Sequence, residues 1–123
     1  MENPAPLVAV VDDEHAIRKA LTRLLRSASY EVESFASGQE FLKSLAMRHP
    51  ACLVLDICMH GMTGLEIQAW LKEQSLALPI VFITALDDRA DQALAMRRGA
   101  TALLRKPFGD EAFLAAVAAA IHP

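Results

Sequence analysis

The chain has 123 residues and a net charge of −3, from 12 basic and 15 acidic side chains, so it holds one domain and lacks the basic surplus that nucleic-acid backbones attract. Hydrophobic residues make up 54% and charged residues 22%, which excludes intrinsic disorder. Two cysteines make no disulfide framework, no basic-then-apolar signal opens the chain, and Ala112–Ile121 is only half a membrane span, so a reduced cytoplasmic setting without membrane contact is expected.

Short apolar runs alternate with helix-period segments along the whole length. The first run, Leu7–Val11, leads straight into Asp12-Asp13. Ile17, Leu21, Leu24 and Leu25 then repeat at the spacing of one buried helix face, with Arg18, Lys19, Arg23 and Arg26 on the wet side. The second run, Tyr30–Phe35, carries charge at alternate positions and suits an exposed edge strand. Ser37 with Glu40 predicts a capping box, and Phe41, Leu42 and Leu45 supply the apolar face of the helix it opens. The third run, Cys52–Leu55, ends at Asp56. Thr63 with Glu66 predicts a second capping box, ahead of Ile67, Trp70 and Leu71. The fourth run, Ile80–Ile83, ends at Thr84, after which Asp87 or Asp88 caps a helix that stops before Gly99. The fifth, Thr101–Leu104, ends at Lys106-Pro107, and Phe113, Leu114, Val117 and Ile121 mark the last helix. All runs but the second are nearly continuous in apolar character, as strands covered on both faces are.

Five such repeats predict an α/β domain: a single doubly wound (βα)5 domain, flavodoxin-like, its parallel five-stranded sheet in the order 2-1-3-4-5. Ligands in such sheets bind beyond the carboxyl ends of the strands, where strand order reverses. Asp12, Asp13, Asp56, Thr84 and Lys106 all fall on those ends. Clustered carboxylates repel and raise a pKa unless a cation joins them, and an all-oxygen set suits Mg²⁺. A carboxylate is also a competent nucleophile toward phosphorus, with Lys106 and Mg²⁺ to neutralise charge and the Thr84 hydroxyl to bond a phosphoryl oxygen.

Val-Val-Asp-Asp-Glu at 10–14, Leu-Asp-Ile-Cys-Met at 55–59, Gly64, Ile-Thr-Ala at 83–85, Arg-Arg-Gly-Ala at 97–100 and Lys-Pro-Phe at 106–108 resemble the receiver domain of bacterial two-component response regulators. The resemblance spans residues 1–123 and is strongest to FixJ-type receivers, which precede a helix-turn-helix output domain. It implies Asp56 as phosphoacceptor from a sensor histidine kinase, with Thr84 and Lys106 as its catalytic partners. It implies a Mg²⁺ site formed by Asp13, Asp56 and the Cys58 backbone carbonyl, with Asp12 holding a metal-bound water. It further implies a cis bond before Pro107 and phosphorylation-dependent dimerisation through the fourth helix, fifth strand and fifth helix. DNA would be reached only through an output domain, which this chain does not contain: it ends at His122-Pro123, where a linker would begin, as either a truncated regulator or a stand-alone receiver.

Besides the missing output domain, two departures stand out: the loop after the phosphoacceptor reads Met59-His60-Gly61 where the family has Met-Pro, and the commonly aromatic position three before Lys106 is Leu103. The last helix carries an alanine surface beside its apolar stripe. His60 and Cys58 read as ordinary loop residues, Cys52 as core, and Arg97-Arg98 as a solvated helix end. An aspartate-based phosphatase needs a second Asp two residues after the nucleophile, where Cys58 stands, and a flavin binder would not place Asp12-Asp13-Glu14 against a phosphate. The remaining alternative is a pseudo-receiver, a pure interaction module.

Overall fold

The computed structural model describes residues 4–85 and 89–123. The elements alternate as β1 (Leu7–Val11), α1 (His15–Ser27), β2 (Glu31–Phe35), α2 (Gly38–Ser44), β3 (Cys52–Asp56), α3 (Gly64–Glu73), β4 (Ile80–Thr84), α4 (Arg89–Arg97), β5 (Ala102–Arg105) and α5 (Asp110–Ile121). The strands are parallel in the order β2-β1-β3-β4-β5, as the sequence predicts.

Period-two alternation divides each central strand between two cores. Ala9, Val11, Leu53, Leu55, Ile80 and Phe82 face a layer made by Phe41, Leu45, Ile67, Leu71 and Ala95 of α2, α3 and α4 and their flanks. Val8, Val10, Cys52, Val54, Val81 and Ile83 face Leu21, Leu25, Phe113, Val117 and Ala120 of α1 and α5. Each of these strands is buried along its full length, which is why its sequence is apolar without interruption. Asp56 continues the Cys52–Val54 row and so emerges over the α1–α5 side of the sheet.

The edges differ from one another. β2 alternates as its sequence does, with Val32 buried and Glu31 and Glu33 outward, where Arg48 forks onto both Glu31 oxygens at 2.9 and 3.1 Å. β5 is apolar yet only half covered: Ala102, Leu103 and Leu104 are partly exposed because β5 has a neighbour on one side alone. Its expected cover on both faces is therefore incomplete.

The helix signals hold with local corrections. Thr63 forms the full capping box, its hydroxyl accepting from Glu66 N and Glu66 accepting from Thr63 N. Ser37 forms half of one. Its hydroxyl accepts from Glu40 N, but Glu40 reaches past it to the N–H of Ala36. The capping choice between Asp87 and Asp88 lies outside the described residues. On α5 the buried stripe is Phe113, Val117 and Ala120, with Leu114 and Ile121 half-buried. Of the alanines, Ala112, Ala115 and Ala119 are fully outward while Ala116 and Ala118 are partly covered. Arg18, expected on the wet face of α1, instead turns inward and donates to the Asp12 carbonyl at 2.8 Å. Among the described residues, no helix is long and apolar enough to cross a membrane.

Candidate functional site

Backbone geometry delivers the acidic residues to one rim. β1 ends one residue before Asp12, and the Asp12 N–H bonds to the Phe35 carbonyl of β2, extending the ladder past the strand. Asp56 is the last residue of β3. The loop that follows, residues 57–63, folds back so that Gly64, the first residue of α3, packs directly on the end of β3: its N–H bonds the Ile57 carbonyl at 2.9 Å. A Cβ at that position would collide with the Asp56 carbonyl oxygen and lie 2.9 Å from Ile57 Cα. Only glycine lets helix and strand approach this closely.

Asp12, Asp13 and Asp56 each offer one oxygen, and the three oxygens lie within 4.8 Å of one another. Asp12 and Asp56 are buried, whereas Asp13 is half-exposed. Lys106 Nζ sits over them, 2.9 Å from Asp12 Oδ2, 3.4 Å from Glu14 Oε1 and 3.5 Å from Asp56 Oδ2. Thr84, buried at the end of β4, takes the Lys106 backbone N–H on its carbonyl at 2.7 Å, so the lysine and the threonine are locked side by side. The Lys106–Pro107 bond is cis, as the resemblance implied.

The charges are unevenly held. Burial, and then the charge of Asp12, push the Asp56 carboxyl up to about 6, against the pull of Lys106 and of the Cys58 N–H on Asp56 Oδ1 at 3.2 Å. For Lys106, burial disfavours the ammonium, but the hydrogen bond to Asp12 and the charges of Asp56, Asp12 and Glu14 outweigh it and raise its pKa. Asp13 is held below the usual carboxylate range, first by the hydrogen bond from His60. The Lys106 ammonium faces Asp12, Glu14 and Asp56, and with Asp13 beside them the rim keeps a surplus of negative charge, even with Arg18 near, that a divalent cation would relieve. The donors are all hard oxygens, which fits Mg²⁺ and not a thiolate- or imidazole-seeking metal.

Asp12, Asp13, Asp56 and Lys106 meet here, and Thr84 is tied to them through its backbone carbonyl. Besides the pairing of Lys106 with Asp12 and Glu14, contacts from His60 and Arg18 were not foreseen. His60 joins Asp13, its ring Nδ1 and its backbone N both reaching Oδ2. Arg18 braces Asp12 from α1. A solvent-exposed histidine in a loop gives no sequence signal of its partner across the rim. The Arg18 spacing could have been noticed, since residue 18 lies one turn into the helix that follows Asp12. Cys58 is exposed in the loop, and Cys52 is buried in β3, where desolvation pushes its thiol up to about 12.

Residues 8–118 match the response regulator receiver domain family. The chain belongs to that family. As a receiver it is 40% identical over 117 residues to the transcriptional regulatory protein TdiR of Thauera aromatica, covering 95% of this chain and 52% of TdiR. The solved structure of the response regulator StyR superposes with a TM-score of 0.86 at 44% identity, over 96% of this receiver and 60% of that chain. FixJ-N superposes with a TM-score of 0.89 at 30% identity, over 99% and 96% of the two chains, in keeping with the FixJ-type resemblance. The receiver spans about half the length of the curated relatives it matches. Receivers are signalling switches of two-component systems.

Proposed function

We propose that this receiver accepts a phosphoryl group from a sensor histidine kinase on Asp56, with Mg²⁺, and transmits the change through α4, β5 and α5 to a homodimer or an output domain. The observation that carries it is Asp56 itself: a buried carboxylate at the end of the central strand, 3.5 Å from the Lys106 ammonium and beside two further carboxylates. Asp13, Asp56 and the Cys58 carbonyl would hold the cation, with Asp12 acting through a bound water. Bound there, Mg²⁺ supplies charge neutralisation for the transferred phosphoryl oxygens.

An Asp56 oxygen attacks phosphorus in line; the bond from phosphorus to the donor nitrogen or oxygen breaks, and an acyl phosphate forms. Lys106, pre-positioned by Asp12, shifts its ammonium to a phosphoryl oxygen. The Thr84 hydroxyl donates to another. Thr84 and Lys106 are joined through the backbone, so a pull on either reaches β5, whose Leu103 packs under α4. This would move the surface without an aromatic lever. The receiver acts as a switch and not as a turnover enzyme, works in the cytoplasm, and reaches DNA only through an output domain of a longer regulator. The name of TdiR, a transcriptional regulatory protein, supports that last step.

The test is intact-mass spectrometry after incubation with acetyl phosphate. The expected result is a gain of one phosphoryl group that needs Mg²⁺ and is lost in Asp56→Ala. A wild-type mass that never changes would leave the pure interaction module as the better description.

A further inference from the structure

The loop between β3 and α3 turns back on Asp56 through the Cys58 N–H and reaches across to Asp13 through His60. The His60 backbone N–H donates to Asp13 Oδ2 at 3.1 Å, and the His60 ring Nδ1 lies 2.9 Å from the same oxygen. An ionised carboxylate only accepts, so Nδ1 carries the proton, and the two contacts occupy both lone pairs of that oxygen. Asp13 Oδ1 is left to face other partners. The His60 side chain is otherwise fully exposed, so packing does not explain its place.

The contact joins two segments that the cation site needs together. Asp13 follows β1, and Cys58, whose carbonyl is the proposed ligand from the loop after β3, stands two residues before His60 in that loop. Gly61, at φ +78°, provides the left-handed turn that carries the chain on from His60 toward α3. A proline at position 60 would offer neither the N–H nor the ring.

We propose that His60 is a positioning residue for the cation site, clasping Asp13 Oδ2 so that Asp13 and the Cys58 loop are already in place when a divalent cation binds. The inference rests on the metal-binding part of the proposed function. Its role is that of an outer partner which orients a ligating carboxylate, a kind of contact whose loss typically weakens metal affinity by about 10- to 100-fold. Exposure of the ring places His60 at or below the lower end of that range.

The experiment is calorimetric titration of the full chain with Mg²⁺ at fixed pH and without a phosphodonor, alongside Mn²⁺ titration followed by electron paramagnetic resonance. His60→Asn puts an amide nitrogen where Nδ1 lies, His60→Ala keeps only the backbone N–H, and His60→Pro keeps neither. Asn should bind within about twofold of wild type, Ala about fivefold weaker, and Pro about tenfold weaker or more. Melting of the metal-free Asn variant should match wild type and that of Ala should fall only slightly, since the exposed ring supports no packing and contributes a single solvent-exposed hydrogen bond. Equal or tighter binding by His60→Ala would overturn the proposal, because the ring would then be idle or a competitor of the cation. Asn binding as weakly as Ala would overturn it too. Wild-type protein that takes up no Mg²⁺ at millimolar concentration would instead defeat the metal-binding part of the proposed function.

Discussion

Replacing Asp56 by Asn should stabilise the metal-free protein. The carboxylate is buried at the end of β3 beside Asp12, and its pKa is raised from 3.8 to about 6, by burial first and by Asp12 second. A rise of that size opposes the folded state by roughly 3 kcal/mol at pH 7.5. Water at the open rim screens it to about 2 kcal/mol. With an unfolding entropy of ~2.1 cal/mol/K per residue over this length, that is about 8 °C in melting temperature. The folded carboxyl binds its proton more tightly than the unfolded one. The penalty is therefore complete above pH 6, fades as the pH falls, and is gone below about pH 4, so the gain from Asn should be about half as large at pH 5. Circular-dichroism melts in a chelator at pH 7.5 and pH 5 measure both. Asn no more stable than wild type at pH 7.5, or a gain that grows on acidification, would refute the repulsion.

Mg²⁺ at ten times its Kd should add about 1.4 kcal/mol to the wild type, or roughly 5 °C, by binding the folded state alone, and melts with and without the ion show this directly. Gly64→Ala should cost about 3 kcal/mol, since its Cβ meets the backbone of Asp56 and Ile57 and neither can yield cheaply; the denaturant midpoint should fall with an unchanged slope. A beryllofluoride mimic should shift sedimentation toward a dimer, and Ala115→Glu with Ala119→Glu, both on the outward face of α5, should abolish the shift.

Much of this fold can be read in the chain because the central strands are covered on both faces. Burial forces Leu7–Val11, Cys52–Leu55 and Ile80–Ile83 to be apolar throughout, and the same runs fix where the polar rim begins. Glycine at position 64 and the Thr63–Glu66 box are legible for a similar reason, being local in sequence. What escapes is contact set by tertiary approach. Composition makes β5 look as enclosed as β3, though it lies at an edge. Ala120 outranks Ile121 as a core residue because the helix phase, and not side-chain size, decides which face meets the sheet. Arg18 and His60 have the polarity of wet residues, and their partners, the Asp12 backbone carbonyl and the Asp13 carboxylate, are brought to them only by the tertiary fold.

The role of Asp56 is tested most directly by locating the phosphoryl group. After acetyl phosphate and Mg²⁺, borohydride reduction converts an acyl phosphate to an alcohol, and peptide sequencing by mass spectrometry finds the altered residue. Position 56 alone should be converted. Conversion at Asp12 or Asp13 with Asp56 untouched would contradict the assignment.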